Sequence, residues 1–588
     1  MAAPARTGPT MAHHRQGLFA LLGTRRFLPF FLVQFSGAFN DNLYRNALLV
    51  LLVSGAVAAE RVNLWVNLAA GLFILPFFLF SPLAGQLADR CDKARLMRWI
   101  KAAEALIMAG AAAALVQQAW AWLLVLLFAM GAHSSFFGPL KYAIMPQHLG
   151  AGDLVAGNAL VGMGTFVAIL SGTIGGTLLA GGPDPHFWVG GGVVLVALSG
   201  WIASLAVPPA PPAAPNLRID WNPLRQLAVL YRLAAARFGV LPAVAGISVF
   251  WALGVSYLTQ IPNFAVAVLG GTPALIALLL SAFVVGIAMG SLLCARIGGA
   301  RGELGLVPLG GLGLALFSLD LGFAVRGFQP LAEAVPSLQL LHQWPLPRVL
   351  GDILLLGVCG GLYVVPLYVH LQRRAGSDSR ARVIAFNNLL NALFMVAASL
   401  LGMLALGVLH WSIPDFFLLL GLLQGLALVL LSIWAPDWLV CLAGWVVGRL
   451  WFGVRTLHFP EGRGTETWVL HCPPDPLAVL LAVTRSGRPT RLALPTALRG
   501  RRWRWLRRAA PGSAPWPEPG AEEGPVCHCE PDPLVAVTAV AASRHYRLRL
   551  RRRGWRVLEV EITPQARPGT ASGGDVPGIA APCAVPGP

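Results

Sequence analysis

A few charged and amide side chains inside long apolar runs are the residues of this chain best suited to do chemistry. Asp41 lies within an apolar run between Asn40 and Asn42, and Lys141 lies at the end of another. A carboxylate costs roughly 2.5–3.5 kcal/mol at the centre of a membrane helix, so it is expected to face a protein interior and to have a partner. We therefore predict that Asp41, Asn42 and Lys141 bind the polar part of a ligand.

Alternative roles remain open for these residues. Arg45 follows Asp41 by four positions, on the same face of a helix, and can neutralise its charge. Lys141 can instead extend its amine to the membrane surface. A further apolar run carries three asparagines on adjacent turns, which can line a polar cavity or bond to neighbouring helices: Asn387, Asn388 and Asn391.

Composition identifies the elements that must position these residues. Of the 588 residues, 56% are hydrophobic and 12% are charged, and the mean hydropathy is +0.66. The apolar residues come in runs of about 20, the length of a helix that crosses a bilayer. These features predict an all-α membrane protein with twelve spanning helices. The predicted spans are 27–55, 64–84, 99–116, 120–140, 155–180, 187–207, 239–268, 273–295, 304–325, 349–371, 383–408 and 413–434.

The runs fall into two groups of six, separated by a polar stretch that begins with a proline cluster. Arginines are concentrated in alternate loops, and the positive-inside rule places those loops and both termini in the cytoplasm. The net charge of +18 is thereby explained, and nucleic acid is not expected as a partner. The predicted parts are an N-terminal arm (1–26), an N-terminal bundle (27–207), a linker (208–238), a C-terminal bundle (239–436) and an Arg- and Pro-rich tail (437–588).

The loop between the second and third runs has a specific pattern of glycine and charge. Glycine lets two helices approach closely, and an aspartate can form ion pairs with basic residues at the mouth of a gate. We predict such pairs between Asp89 and the basic residues Lys93 and Arg95. The pattern resembles the loop signature of the major facilitator superfamily, and it is weakly repeated from Gly290 to Arg296. The predicted gating residues are Gly85, Asp89, Arg90, Lys93 and Arg95.

Several blocks of sequence resemble a narrower family, the bacterial lysophospholipid transporters, and most of all the branch fused to acyltransferase and acyl-carrier-protein synthetase modules. This resemblance implies a multi-pass protein of the bacterial inner membrane that moves lysophospholipid to the inner leaflet, linked in function to a phospholipid acyltransferase. Two positions depart from the pattern of this family, and both concern recognition of the head group. Gly162 stands where an acid is expected, and Tyr257 or Leu258 stands where an arginine is expected. The blocks are Gln34 to Leu48, Phe137 to Met145, Leu154 to Leu179, Phe250 to Phe264 and Gly361 to Phe394.

The sequence of the tail does not predict an enzyme. A histidine general base of an acyltransferase is held by a carboxylate with four residues between them, whereas His471 and Asp475 have three. We interpret the tail as a degenerate acyltransferase remnant, partly disordered. Cys527 and Cys529 are separated by one residue, and zinc ligands usually by two to four, so neither a metal nor another cofactor is expected.

Two other functions remain as alternatives. A proton-coupled efflux carrier for small amphiphilic compounds would need a titratable acid inside the membrane, and Glu104 and Asp320 are candidates. A membrane-anchored glycerophospholipid acyltransferase is the alternative from another class, and the spacing of His471 and Asp475 argues against it.

Overall fold

The structure is a computed structural model that divides the chain into two compact units, Met1–Leu442 and Ala443–Pro588. The first unit is helical and the second contains a β-sheet. The residues that the structure describes are 18–56, 62–150, 153–237, 239–297, 304–326, 328, 344–446, 468–472, 491–493, 526–529, 544–553 and 557–565.

The described part of the first unit contains fourteen α-helices, the last of which ends four residues beyond Leu442. Short π-helical turns extend α1, α8 and α12. The helices are α1 (Leu28–Leu51), α2 (Val62–Arg90), α3 (Lys93–Val116), α4 (Trp120–His148), α5 (Leu154–Gly181), α6 (Pro185–Leu205), α7 (Pro223–Ala235), α8 (Val240–Asn263), α9 (Pro273–Ile297), α10 (Leu306–Ala324), α11 (Leu346–Arg374), α12 (Arg380–Gly402), α13 (Ile413–Trp434) and α14 (Asp437–Val446).

Twelve of these helices correspond to the predicted spans. Eleven are long and apolar enough to cross a membrane. The twelfth, α1, has 24 residues, and its polar segment from Asn40 to Asn46 lowers its hydropathy. The prediction of an all-helical membrane region is therefore confirmed. Helices α2 and α4 run on to Arg90 and His148, beyond the predicted ends, because their last turns pack against protein after the apolar run has ended.

Six spanning helices form each of two bundles with the same internal arrangement. In the first bundle α1 packs on α5, α2 on α4, and α3 on α6. In the second, the equivalent pairs are α8 with α12, α9 with α11, and α10 with α13. The bundles meet through α2 and α12 on one side and α5 and α9 on the other, as a two-fold repeat requires.

Close packing of α1 against α5 depends on two glycines. A Cβ atom at Gly172 would meet the Phe39 carbonyl oxygen, and one at Gly176 would meet the Leu43 carbonyl oxygen. The spacing of four residues puts both glycines on one face of α5, so the backbones can approach. Helix α1, which carries Asp41, is thereby held firmly in its bundle.

Residues 206–222 connect the bundles and lead into α7, a short amphipathic helix that packs against α2 and α12. We call this side of the first unit the linker end and the opposite side the far end. The last helix, α14, is too short to span a membrane, yet Trp438 within it is fully buried in the main core. The first unit therefore extends past Pro436, the predicted end of the second bundle.

The second unit contains a five-stranded mixed sheet in the order β2-β3-β1-β4-β5. Strands β1 and β3 are parallel, with His471 opposite His528 and Cys472 opposite Cys529. Asp475 lies outside the described residues. Strands β4 and β5 are antiparallel neighbours. The strands are β1 (Trp468–Cys472), β2 (Arg491–Ala493), β3 (Val526–Cys529), β4 (Arg544–Arg553) and β5 (Val557–Gln565).

Candidate functional site

Asp41 is held across the first bundle by a serine of α4. The Ser134 hydroxyl donates a hydrogen bond to Asp41 Oδ2 over 2.7 Å, while Asp41 Oδ1 is buried without a hydrogen-bond partner. Arg45 is turned elsewhere. Its guanidinium donates to Asn42 Oδ1 over 2.9 Å and lies 5.6 Å from the centre of the Phe73 ring. Asp41 and Arg45 therefore make no direct ion pair, although the charge of Asp41 acts on Arg45, and the alternative that Arg45 neutralises Asp41 stays a prediction.

Asn42 itself points along α1. Its amide donates to the Ala38 carbonyl oxygen over 2.8 Å and its Oδ1 accepts from Arg45. Both hydrogen bonds are local to the helix, so Asn42 orients Arg45. Its predicted contact with a ligand stays a prediction.

Lys141 is buried rather than extended to a membrane surface. Its amine donates to Thr165 Oγ1 over 2.8 Å, and Thr165 Oγ1 lies 3.0 Å from Gln34 Oε1. The alternative role of a surface-directed lysine is therefore wrong. A buried amine with one neutral hydroxyl as hydrogen-bond partner retains donors for an anionic ligand.

These contacts form two groups, Asp41 with Ser134 and Lys141 with Thr165 and Gln34, which together we call the polar strip. Gln34 and Asp41 are seven residues apart on α1, and so are Ser134 and Lys141 on α4. Seven residues are two helical turns, so the members of each pair share a face and are about 10 Å apart along the axis. The strip is negative toward the far end and positive toward the linker end.

Aromatic rings from both bundles pack beside the Lys141 and Thr165 end of the strip. Lys141 Nζ lies 5.3 Å from the centre of the Tyr142 ring, and Tyr142 stacks on Tyr368 with centroids 4.2 Å apart. The Trp251 indole donates to the Tyr368 hydroxyl over 3.0 Å and stacks against Phe166 at 5.8 Å. We call these four residues, Tyr142, Phe166, Trp251 and Tyr368, the aromatic layer.

The three predicted asparagines border the aromatic layer rather than the strip. Asn391 Oδ1 accepts from the Ser248 hydroxyl over 2.9 Å. Asn387 is buried near the Tyr368 hydroxyl, with no well-formed hydrogen bond to either amide atom. Asn388 faces Gly138 of α4, where a Cβ atom would meet its amide. Asn391 therefore bonds to a neighbouring helix, while the lining of a polar cavity by these asparagines stays a prediction.

Two of the five predicted gating residues lie at the contact between the bundles. Asp89 is fully buried and accepts hydrogen bonds from the backbone amides of Ala381 and Arg382, over 3.0 and 3.2 Å, and from Arg382 Nε over 3.1 Å. It therefore occupies the amino end of α12, where the helix dipole favours a negative charge. A Cβ atom at Gly85 would be 2.7 Å from Ala385 Cβ.

The partner of Asp89 differs from the predicted one. Lys93 directs its amine to the Pro211 carbonyl oxygen at 3.5 Å, and Arg95 contributes its backbone amide to Asp92, at 2.8 Å. The side chains of Arg90 and Arg95 are exposed. Asp89 thus pairs with Arg382 in place of the predicted Lys93 and Arg95. The reason is that α12 of the other bundle packs against α2 at the carboxylate.

A second contact closes the linker end between α5 and α11. The side-chain amides of Asn158 and Gln372 exchange hydrogen bonds of 2.8 and 3.0 Å, and both residues are buried. Further along α5, Gly162 faces Ser291 of α9. The two bundles are therefore joined from the aromatic layer to the linker end.

A buried network of charged and polar side chains lies beside the polar strip, and the sequence predicts only part of it. Glu104 is paired with Lys101, accepts from the Asn40 amide over 3.0 Å, and lies 3.1 Å from His133 Nε2. The sequence predicts Glu104 as a candidate titratable acid inside the membrane, and Lys101 three residues earlier indicates a pair on one helix face. His133 gave no such signal, because it comes from a different helix. Asp320, the other acid, pairs with Arg348.

Two six-helix bundles that close over a buried polar strip define a multi-pass membrane transporter. The chain belongs to the Major Facilitator Superfamily, which matches residues 30–399. Solved structures show the same fold: the human organic anion transporter MFSD10 has a TM-score of 0.56 and 16% identity, and covers 69% of this chain and 99% of its own. The Escherichia coli fucose:proton symporter FucP has a TM-score of 0.53 and 13% identity, with coverages of 70% and 100%.

Curated relatives are more similar in sequence. The lysophospholipid transporter LplT of Enterobacter sp. (strain 638) is 29% identical over 370 residues, which cover 60% of this chain and 82% of that protein. LplT of Serratia proteamaculans (strain 568) is 27% identical over 389 residues, with coverages of 62% and 85%.

Proposed function

We propose that this protein moves lysophospholipid across the bacterial inner membrane by alternating access. The name shared by the curated relatives supports the substrate, and their similarity extends over most of their length. The two bundles supply the two rigid bodies that such a mechanism needs.

The observation that carries the proposal is the polar strip with its two opposite charges. A lysophospholipid head group combines an anionic phosphate with, in lysophosphatidylethanolamine, a cationic amine. Lys141 is suited to the phosphate and Asp41 to the amine, since charge-assisted hydrogen bonds are the strongest available to either. A neutral sugar or a simple cation would use only part of this arrangement.

The linker end is proposed to face the cytoplasm. Its loops and helix ends hold a concentration of arginines, including Arg95, Arg218, Arg296 and Arg382, whereas the far end has acidic residues such as Asp184 and Asp415. Cytoplasmic loops of membrane proteins carry such an excess of positive charge. Both termini would then be cytoplasmic, as the sequence predicts.

The contacts described between the bundles support an outward-facing state. The Tyr142 and Tyr368 stack, the Asn158 and Gln372 pair, and the Asp89 and Arg382 pair all join the two bundles on the linker side of Lys141. A head group from the outer leaflet would therefore reach the strip before these contacts separate. The lipid delivered to the inner leaflet is a substrate for a phospholipid acyltransferase, which is the proposed functional partner.

Reconstitution in liposomes tests this function. Labelled lysophosphatidylethanolamine added outside should move to the inner leaflet faster in proteoliposomes than in protein-free liposomes, with protein orientation determined by protease protection. A parallel assay with a cationic amphiphilic drug and a proton gradient tests the efflux alternative. Lipid movement equal to that of protein-free liposomes, together with proton-driven drug export, would overturn the proposal.

A further inference from the structure

The first bundle contains a further cation that the polar strip does not include. Arg45 follows Asp41 by four residues on α1, so the two residues share a helix face and lie about 6 Å apart along the axis. At the other side of Asp41 on the same helix, Gln34 lies beside Thr165 and Lys141. The carboxylate of Asp41 therefore has one cation toward the linker end, Lys141, and one toward the far end, Arg45.

The Arg45 guanidinium retains hydrogen-bond donors for a ligand. A guanidinium has five N–H donors. Among the described residues, Arg45 donates one hydrogen bond, from Nη2 to the neutral Asn42 Oδ1 over 2.9 Å. The side chain is half-buried, and the Phe73 ring of α2 lies 5.6 Å from the guanidinium carbon. Like Lys141, Arg45 is thus a cation held by neutral neighbours.

Arg45 is separate from other formal charges on its side of the strip. In the described spanning helices of the first bundle, no other Asp, Glu, Lys or Arg lies beyond Asp41 and Glu104 toward the far end. An arginine inside a membrane helix is costly, and such residues mark the paths of polar substrates. Asp41 acts on Arg45 without an ion pair, so neutralisation of Asp41 is the alternative role.

Inversion of a lipid gives the two cations a common function. Head groups of the outer and inner leaflets point in opposite directions, so a lipid that changes leaflet must turn over. With the linker end in the cytoplasm, an outer-leaflet lysophosphatidylethanolamine whose amine is at Asp41 has its phosphate and tail on the linker side, toward Lys141. After inversion about the amine, the phosphate and tail are on the far side, where Arg45 lies.

We infer that Lys141 and Arg45 are alternative phosphate sites on opposite sides of Asp41, an inference that rests on the proposed lysophospholipid function. The lipid turns over while its amine stays at Asp41 and its phosphate passes from Lys141 to Arg45. Asp41 Oδ1 is available to the amine in both orientations, because Ser134 occupies Oδ2 and Oδ1 is without a partner. Arginine is well suited to the second site, since its planar fork binds phosphate with two hydrogen bonds.

Pulsed EPR distances test the two orientations. Full-length, cysteine-depleted protein in nanodiscs carries one spin label at the exposed far-end position Gln117, and lysophosphatidylethanolamine carries another at the end of its acyl chain. The tail should take two positions, at a short and a long distance from the label. Arg45→Gln should remove the short-distance population and Lys141→Gln the long-distance one. Arg326→Gln removes an exposed far-end arginine outside the first bundle and should retain both.

Transport in proteoliposomes provides a second readout. Arg45→Gln should lower the maximal rate for lysophosphatidylethanolamine by about tenfold, because a charge-assisted hydrogen bond to the inverted lipid is lost. It should not weaken binding of this lipid from outside, which uses Lys141. Arg45→Lys keeps the positive charge and should recover most of the rate. A lower rate accompanied by weaker binding from outside would contradict the assignment of Arg45 to the inverted lipid.

The outcomes separate the inference from the proposed function. Absence of lysophosphatidylethanolamine binding and transport by wild-type protein would overturn the proposed function. Binding with two tail positions that both remain in Arg45→Gln would overturn the inference alone and favour neutralisation of Asp41. If Arg45→Gln does not fold, wild-type protein is compared with Asp89→Asn, which is expected to open the linker end. Asp89→Asn should enlarge the short-distance population, and a single tail position in both proteins contradicts the inference.

Discussion

At the scale of residues, the site depends on which atoms of each charged group remain free. Asp41 has one oxygen engaged by Ser134 and the other without a partner, and Lys141 is engaged by a neutral hydroxyl. Unpaired buried polar atoms are costly, so proteins retain them where a ligand completes the hydrogen bonds. The two ends of the polar strip can therefore be tested separately.

Asp41→Asn should abolish transport of lysophosphatidylethanolamine and leave folding intact. Asparagine keeps an acceptor for the Ser134 hydroxyl but loses the charge that attracts the amine. Transport in proteoliposomes and elution as a monodisperse peak are the measurements. Asp184→Asn is the matched control, because Asp184 is exposed at the far end and asparagine tolerates its positive φ of 48°. Full transport by Asp41→Asn would remove Asp41 from the site.

Lys141→Gln should weaken binding of both lysophosphatidylethanolamine and lysophosphatidylglycerol, because both contain the phosphate. A hydrogen bond to a charged group contributes about 1.5–3 kcal/mol, so we expect a loss of affinity of at least about tenfold. Asp41→Asn serves as the comparison, since it should affect mainly the amine-containing lipid. Equal effects of the two variants on both lipids would contradict the assignment of the two ends.

At the scale of elements, the contact of α2 with the start of α12 closes the linker end. Asp89 accepts two backbone amides and the Arg382 guanidinium, and Gly85 lets the helices approach closely enough for this to happen. Separate elements that are joined by a few strong contacts can exist in two discrete arrangements. We therefore expect the contact between Asp89 and the start of α12 to determine the relative populations of the two arrangements.

Asp89→Asn should shift the protein toward a state open at the linker end. Loss of charged hydrogen bonds worth about 1.5–3 kcal/mol would change the population ratio by roughly tenfold or more. Distances between spin labels at the exposed positions Arg95 and Ser377, in a cysteine-depleted background, measure the shift. Asp92→Asn is the control, because Asp92 caps α3 and bonds the Ala210 amide within the first bundle and linker. An equal shift in both variants would contradict a specific role for Asp89.

Gly85→Ala should have the same effect through sterics. The added Cβ would lie 2.7 Å from Ala385 Cβ and 2.9 Å from Arg382 Cα, and backbone atoms yield little to such a clash. The spin-label distances and the transport rate report the result. Gly71→Ala on the same helix meets nothing within 4 Å and should behave as wild type. Unchanged distances in Gly85→Ala would show that the bundles do not need this close approach.

At the scale of the whole molecule, the chain combines a helical membrane unit with a separate sheet-containing unit. The membrane unit includes Trp438, whose side chain is fully buried in the main core. A cut directly after Pro436 would therefore remove part of the membrane core, because large buried aromatic side chains contribute several kcal/mol to stability. The place of truncation decides what such an experiment measures.

Truncation after Val446 should preserve lysolipid transport, since α14 and Trp438 are then retained and the polar strip lies in the membrane unit. Truncation after Pro436 should lower the thermal stability of the protein in detergent. Transport in proteoliposomes and thermal unfolding are the two measurements. Loss of transport in the longer variant, with unchanged stability, would show that the second unit takes part in transport.

The sequence by itself determined the number of spanning helices, their grouping into two bundles and the presence of polar groups within them. These features follow from local composition, since an apolar run of about 20 residues must span and a charge within it must be enclosed. Only the tertiary structure decided the partners: Ser134 rather than Arg45 for Asp41, Arg382 rather than Lys93 for Asp89, and Glu104 for His133. Each of these partners comes from a different helix, and the contact depends on which helix faces are packed together, which hydrophobic periodicity in a mostly apolar sequence does not specify.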